Sequence, residues 1–381
     1  MSSPKPSIMM LNGRWRPLGS GAELQAERLA AKLVELGFPV QVFTQHLDPS
    51  SPTEEVYRGI RINRVDFPLA YDLNRSAAPT LRYLVERRRT FDILHDHQML
   101  GHAAVSTIAA RWLGKRNVIK VSLTGTDGDL TRFCRIKYAR WGMHILHMAD
   151  AVIAVSREIN FELLQHGFAP EKIRRLPNGV DVQEFSRRAP FPGTSPPRFI
   201  LLGRRNPQKG IDTVLQALKI MAEKGSIADG LEVDFYGWDY PEWDYRQMSR
   251  DLGVERYVRF LPFEKNVVEV YQKAYGLLLP STGEGLSNVL LEAMAMELPA
   301  IGSRVSGTEE VLDHRQNGLL IPPGSPEALA EAMEQLLADP GWAARLGRQA
   351  RRQVEKHYSL DAVAQQYAQL YERLWHKQEF L

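Results

Sequence analysis

The chain of 381 residues is 44% hydrophobic and 24% charged, with one cysteine, Cys134, and a formal net charge of +3. This is globular usage: no apolar run nears the roughly 18 residues of a membrane span, and signal-peptide and disulfide signals are lacking, so a cytoplasmic protein is expected. The charge is uneven, with 27 Lys and Arg against 19 Asp and Glu up to residue 190 and 21 against 26 beyond it, hence +8 and −5.

Such a length predicts two domains of about 150 to 200 residues each. Residues 7–12 read as a buried strand, and the turn Gly19-Ser20-Gly21 opens a helix that Gly37 stops. Further strands are predicted over 39–44, 91–95, 117–123 and 149–156, spaced for crossover helices, which implies a parallel sheet covered on both faces. Residues 187–198 hold five prolines or glycines in twelve positions and read as an interdomain linker. The alternation then restarts, with strands over 198–203, 231–237, 276–280 and 299–303 and helices over 210–225 and 288–298. The last amphipathic helix, within 358–381, either closes the second domain or crosses back to brace the first. The expected domains are therefore 1–190 and 191–357, followed by that helix. Doubly wound sheets bind ligands at the carboxyl ends of their strands, so functional residues are expected in strand-to-helix loops.

Two runs carry most of the chemistry. In PSTGEGLSNVLLEAMA, Glu284 lies in a loop and Glu292 inside a helix that begins near Ser287. A helix start offers free N–H groups and partial positive charge, so Gly285, Leu286, Ser287 and Asn288 suit a diphosphate, while the carboxylates suit sugar or ribose hydroxyls. Ordinary surface glutamates on a capped helix are the plain alternative. In LLGRRNPQKGIDTV, a strand ends at Gly203, and Arg204 and Lys209 flank the following turn. Cations there would neutralise a leaving diphosphate without a metal; a basic loop that merely caps the strand is the alternative.

In this order the two runs resemble glycosyltransferase family 4, whose signature couples G-R-x-x-x-x-K-G to Glu-x7-Glu, here Gly203 to Gly210 and Glu284 to Glu292. ADAVIAVS, LPNGVDVQEF, SGTEEVL with Glu310, and NGLLIPPGSPEALAEAM extend the resemblance over roughly residues 7–375. It implies an α/β protein of the GT-B fold, two Rossmann-like doubly wound parallel-sheet domains facing a central cleft. It also implies a retaining transferase using a UDP- or GDP-sugar, with no metal or other cofactor. By the resemblance Arg204 and Lys209 hold the diphosphate, Glu284 the sugar hydroxyls and Glu292 the ribose, with Gly203, Gly237 and Gly285 to Asn288 lining the donor site. A phosphate oxygen of the leaving group would help to deprotonate the acceptor.

The first half departs from the family pattern. The usual G-G-x-E survives only as small residues before Glu23, leaving Gly21 a candidate for close approach to phosphate or a plain tight turn. Where relatives read H-G-x-D, this chain has Thr124-Gly125-Thr126-Asp127. Thr124 and Asp127 are thus acceptor- or sugar-side candidates, and His97 of the pair His95/His97 is expected to compensate for the lost histidine, with His95 structural. Two imidazoles without further ligands make a weak metal site. Arg132, Arg135, Lys137 and Arg140 interleave with Phe133, Tyr138 and Trp141, which suits either a partly buried basic helix or a peripheral membrane contact with a lipid-linked acceptor. Trp238, Tyr240, Trp243 and Tyr245 either shape the donor pocket or pack a loop. A glycan, lipid-linked or small-molecule acceptor is expected, and no nucleic acid. A sugar-nucleotide epimerase on this fold, or a binding protein that has lost transfer chemistry, are the competing readings.

Overall fold

The computed structural model describes residues 4–17, 21–67, 69, 73–124, 128–135, 139–188, 190–191 and 196–376. Gly19, Ser20 and Asp127, with part of the expected linker, lie outside them. The chain divides into two compact units, residues 1–179 with 360–381, and residues 180–359.

The first unit runs β1 (Ile8–Asn12), α1 (Gly21–Glu35), β2 (Val40–Gln45), β3 (Glu54–Tyr57), β4 (Ile60–Val65), α2 (Leu73–Glu86), β5 (Ile93–Asp96), α3 (Gly101–Leu113), β6 (Arg116–Val121), α4 (Asp129–Cys134), α5 (Ala139–Leu146), β7 (Ala151–Ala154), α6 (Arg157–Gln165) and β8 (Ile173–Arg175). Its sheet has the order β3-β4-β2-β1-β5-β6-β7-β8, parallel except for the β3–β4 pair. That antiparallel edge hairpin was not anticipated; it turns on Arg58 and Gly59, both at positive φ (49° and 76°), as a two-residue loop with matching twist requires. Strand alternation explains the two covered faces: Ile8 and Met10 pack into one buried cluster, Met9 and Leu11 into another.

The second unit runs β9 (Arg198–Leu202), α7 (Ile211–Lys224), β10 (Glu232–Tyr236), α8 (Tyr245–Asp251), β11 (Val258–Leu261), α9 (Val267–Lys273), β12 (Gly276–Leu279), α10 (Asn288–Ala295), β13 (Ala300–Ser303), α11 (Ser306–Glu309), β14 (Leu319–Ile321), α12 (Pro326–Ala338) and α13 (Pro340–His357). Its sheet, β11-β10-β9-β12-β13-β14, is parallel throughout. Helices start where a polar cap precedes proline: Ser325 caps α12 and Asp339 caps α13, accepting from Ala328 N at 3.4 Å and Trp342 N at 2.7 Å.

The final helix, α14 (Leu360–Trp375), is grouped with the first unit, where Tyr367, Tyr371 and Leu374 join the cluster of Ile8, Met10, Leu29 and Leu33. The division before Val180 lies upstream of the expected boundary at 190. Arg351 explains why: its guanidinium bonds the carbonyls of Val182 and Phe185 and that of Ala295, so the segment before the proline-rich stretch is already tied into the second unit. Proline and glycine content marks irregular chain, whereas the boundary follows the contacts.

Both sheets are doubly wound. In each, the chain leaves a central strand in opposite directions, so the switch points lie between β1 and β5 and between β9 and β12. The Tyr371 hydroxyl and His95 Nδ1 share a hydrogen bond of 2.6 Å inside the first unit. Tyr371→Phe leaves the imidazole without that partner and is expected to cost about 1–3 kcal/mol; an unchanged thermal unfolding midpoint would contradict this role for the hydroxyl.

Candidate functional site

The switch point of the second unit assembles the strongest candidates. Lys209 ends the loop after β9, and Glu284 lies in the loop after β12. Their side chains meet with Lys209 Nζ 2.6 Å from Glu284 Oε1. Ser281 Oγ donates to the same oxygen at 2.8 Å. The two loops are also laced through their backbones: Thr282 N donates to Gln208 O at 2.9 Å, and Gln208 Nε2 to Gly283 O at 2.8 Å. Lys209 and Glu284 side chains remain 23% and 11% exposed, so the pair is held rigidly yet can be reached.

The adjacent arginines separate completely. Arg204 is exposed and its guanidinium has no partner among the described residues. Arg205 is 2% exposed and bonds Asp239 at 2.8 Å, Phe235 O at 3.1 Å and Leu261 O at 2.8 Å. Only Arg204 is free to meet a ligand; Arg205 ties the loop to β10 and β11.

Glycine is demanded where backbones touch. At Gly237, φ is 149° and an added Cβ would lie 1.8 Å from Gly203 O; at Gly307 it would lie 1.7 Å from Gly285 O. Gly203, Gly237 and Gly285, predicted donor-site positions, thus lie where neighbouring loops pack backbone to backbone. Ser287 is the N-cap of α10, its Oγ accepting from Leu290 N at 3.4 Å. Gly285, Leu286 and Ser287 are buried, while Asn288 is half-buried as the first helical residue. Glu292, one turn further, is 8% exposed and accepts from the Tyr271 hydroxyl at 3.0 Å. Sequence reasoning missed Ser281 and Tyr271, and neither belongs to a recognisable pattern.

Candidates in the first unit are placed less uniformly. Gly21 is the exposed first residue of α1, and Thr124 is half-buried beyond β6. His95 and His97 are buried with ring centroids 4.1 Å apart. Burial pushes His95 down to about 3 and His97 well below the usual imidazole range, so both are neutral at pH 7. Among the described residues no group of three or more His, Cys, Asp or Glu could hold a metal ion. Of the basic, aromatic stretch, Lys137 and Tyr138 lie outside the described residues; on either side of them stand two short helices, α4 and α5, with Phe133 buried and Trp141 77% exposed. In the second unit Trp238 stacks on Phe263 at 4.1 Å, and Tyr245 is buried while Trp243 is not.

Comparison with known proteins decides the family. Residues 19–184 match the description Glycosyltransferase Family 4, and residues 182–353 match Glycosyl transferases group 1. The chain belongs to glycosyltransferase family 4.

It is 28% identical to the N-acetyl-alpha-D-glucosaminyl L-malate synthase of Bacillus anthracis, covering 93% of this chain and 94% of that one. It is 24% identical to the D-inositol 3-phosphate glycosyltransferase of Corynebacterium glutamicum (strain R), over 90% and 89%. The crystal structure of Anabaena HepE in complex with UDP aligns with a TM-score of 0.79 at 19% identity, over 96% and 99%. The two doubly wound units of this glycosyltransferase are those of the GT-B fold. Its adjacent arginines make the division between chemistry and scaffold measurable. Arg205→Ala leaves the carbonyl of buried Phe235 and that of half-buried Leu261 without their guanidinium partner and is expected to cost about 1–3 kcal/mol in unfolding free energy, whereas Arg204→Ala stays within about 0.5 kcal/mol. Equal losses would contradict the assignment.

Proposed function

We propose that this glycosyltransferase moves a sugar from a UDP-sugar with retention of anomeric configuration and without a metal, the donor diphosphate being bound at the switch point of the second unit. The observation that carries this reading is the 2.6 Å contact between Lys209 and Glu284 across the loops after β9 and β12. Lys209 Nζ has further N–H donors beyond the one facing Glu284, and with Arg204 it supplies positive charge where a leaving diphosphate develops negative charge. Glu284 Oε1 is taken by Lys209 and Ser281, which leaves Oε2 to accept from donor-sugar hydroxyls. Glu292, fixed by Tyr271, accepts from the ribose hydroxyls, and the N–H groups at the start of α10 face the phosphates. The acceptor is deprotonated by an oxygen of the departing diphosphate, so the proton leaves with the nucleotide and no enzyme nucleophile is used. HepE's complex with UDP favours uracil over guanine.

Thermal stabilisation by UDP and UDP-sugars above GDP and ADP, with transfer persisting in EDTA and an unchanged anomeric configuration in the product, is the expected outcome. Strict dependence on an added divalent ion, or an inverted product, would remove the corresponding part. Lys209→Ala and Glu284→Gln are each expected to lower turnover at least about tenfold. Near wild-type rates in both would remove the site.

A peripheral membrane contact is supported by Trp112 and Trp141, 70% and 77% exposed on α3 and α5, with Arg111 and Arg140 also exposed beside them. No helix among the described residues is long and apolar enough to cross a membrane. Co-sedimentation with anionic but not neutral vesicles is expected, and its absence would reduce these tryptophans to plain surface residues.

A further inference from the structure

The first unit carries a polar row that the donor site does not use. Leu11 pairs with Asp96 and Asp96 with Ile119, so the next residue on each strand, Asn12, His97 and Lys120, falls in one row across β1, β5 and β6. The ladder continues into it, since His97 N donates to Leu11 O at 3.0 Å. By strand alternation all three side chains share the face of Met10, His95 and Val118, while Asp96 turns to the other face, where Ser106 and Asn117 bond it. The row lies at the β1/β5 switch point, at the carboxyl end of the sheet, where doubly wound folds take ligands.

Its polar groups are under-used. Asn12, His97 and Lys120 are 0%, 2% and 4% exposed. Among the described residues, both polar atoms of the Asn12 side chain and Nε2 of His97 lack a hydrogen-bond partner. Lys120 Nζ donates one hydrogen bond, to Asn178 Oδ1 at 2.9 Å, and forms no ion pair among the described residues. The carboxylate that acts on it from further away, Asp129, is itself engaged by Ser122 N at 2.7 Å. Burial brings Lys120 down to about 8, so it is still mostly protonated at pH 7. A buried ammonium with spare donors and no ion pair among the described residues, next in the row to His97 and two strands from the unpaired amide of Asn12, is complementary to an oxyanion. Carboxylates and phosphates share that chemistry. An apolar group would leave these atoms unsatisfied, and a neutral hydroxyl would leave the charge unmatched.

The geometry points to an anion subsite on the first unit, in which Lys120, with His97 next to it in the row and Asn12 beyond His97, binds a carboxylate or phosphate group of the acceptor. This rests on the transferase reading but uses residues that the donor site does not. It agrees with two relatives whose names specify L-malate and D-inositol 3-phosphate, compounds that each bear an anion.

The test is calorimetric titration of the full chain, saturated with UDP, with L-malate, with inorganic phosphate and with uncharged myo-inositol. At least one anion is expected to bind, and which one distinguishes carboxylate from phosphate; myo-inositol is expected not to bind. Lys120→Met is expected to weaken the anion at least about tenfold, Lys120→Arg to retain part of the affinity, and UDP affinity measured alone to stay unchanged. Should Lys120→Met fail to fold, Asn12→Ala serves as the second variant, with the same direction expected. No binding of either anion, or undiminished affinity in the folded variants, overturns the subsite. Failure of the wild-type chain to bind UDP overturns the donor reading instead, and the anion titrations are then judged without nucleotide.

Discussion

The ion pair between Lys209 and Glu284 is the contact on which the proposed donor site depends, because it closes two loops that leave neighbouring strands at a topological switch point. Parallel strands β9 and β12 deliver both loops to the same edge of the sheet, and crossover helices carry the chain away on either side. Whatever occupies that edge meets a cation and a carboxylate already oriented against each other. Ser281 and the backbone bonds of Gln208 and Thr282 keep the pair from being an ordinary surface salt bridge, which would hold its geometry loosely.

Close backbone contact extends this arrangement to the loops after β10 and β13. Gly237 against Gly203 and Gly307 against Gly285 let four strand ends crowd together, which no side chain at Gly237 or Gly307 would allow. The helix start at Ser287 is thereby fixed against the loop that carries Glu284. The candidate site of this unit is shaped by backbone proximity first and by side-chain chemistry second.

The first unit is organised differently. Its two faces are sealed, one by α14 through Tyr367 and Tyr371 and the other by α2 and α3, yet its sheet carries buried polar side chains towards the carboxyl end. The family histidine is replaced by Thr124, and the polar groups nearest the switch point are instead Asn12 and His97, with Lys120 one strand further. Burial of an ammonium with no ion pair among the described residues is unusual on stability grounds, and the proposed anion subsite accounts for it.

The linear order of residues was enough to reveal alternating strands and helices, the glycine-bounded loops, and the pairing of GRRNPQKG with a Glu-x7-Glu run, because apolar period and turn chemistry are local properties. It also located the start of α10 at Ser287, since a capping side chain acts within three residues. Local signals could not show that Arg205 is buried and Arg204 free, since the two are chemically identical neighbours and only the position of β11 and Asp239 separates them. Nor could they place the unit boundary before Val180, which depends on Arg351 reaching residues far back in the chain. Lys120 is a similar case: in sequence it interrupts an apolar strand, and only the pairing of β1, β5 and β6 shows which side chains stand beside it. The sequence alone determined the elements and the chemistry available at their ends, because those follow from each residue and its near neighbours. Tertiary structure decided which of those groups meet, because strand register and burial depend on partners distant along the chain.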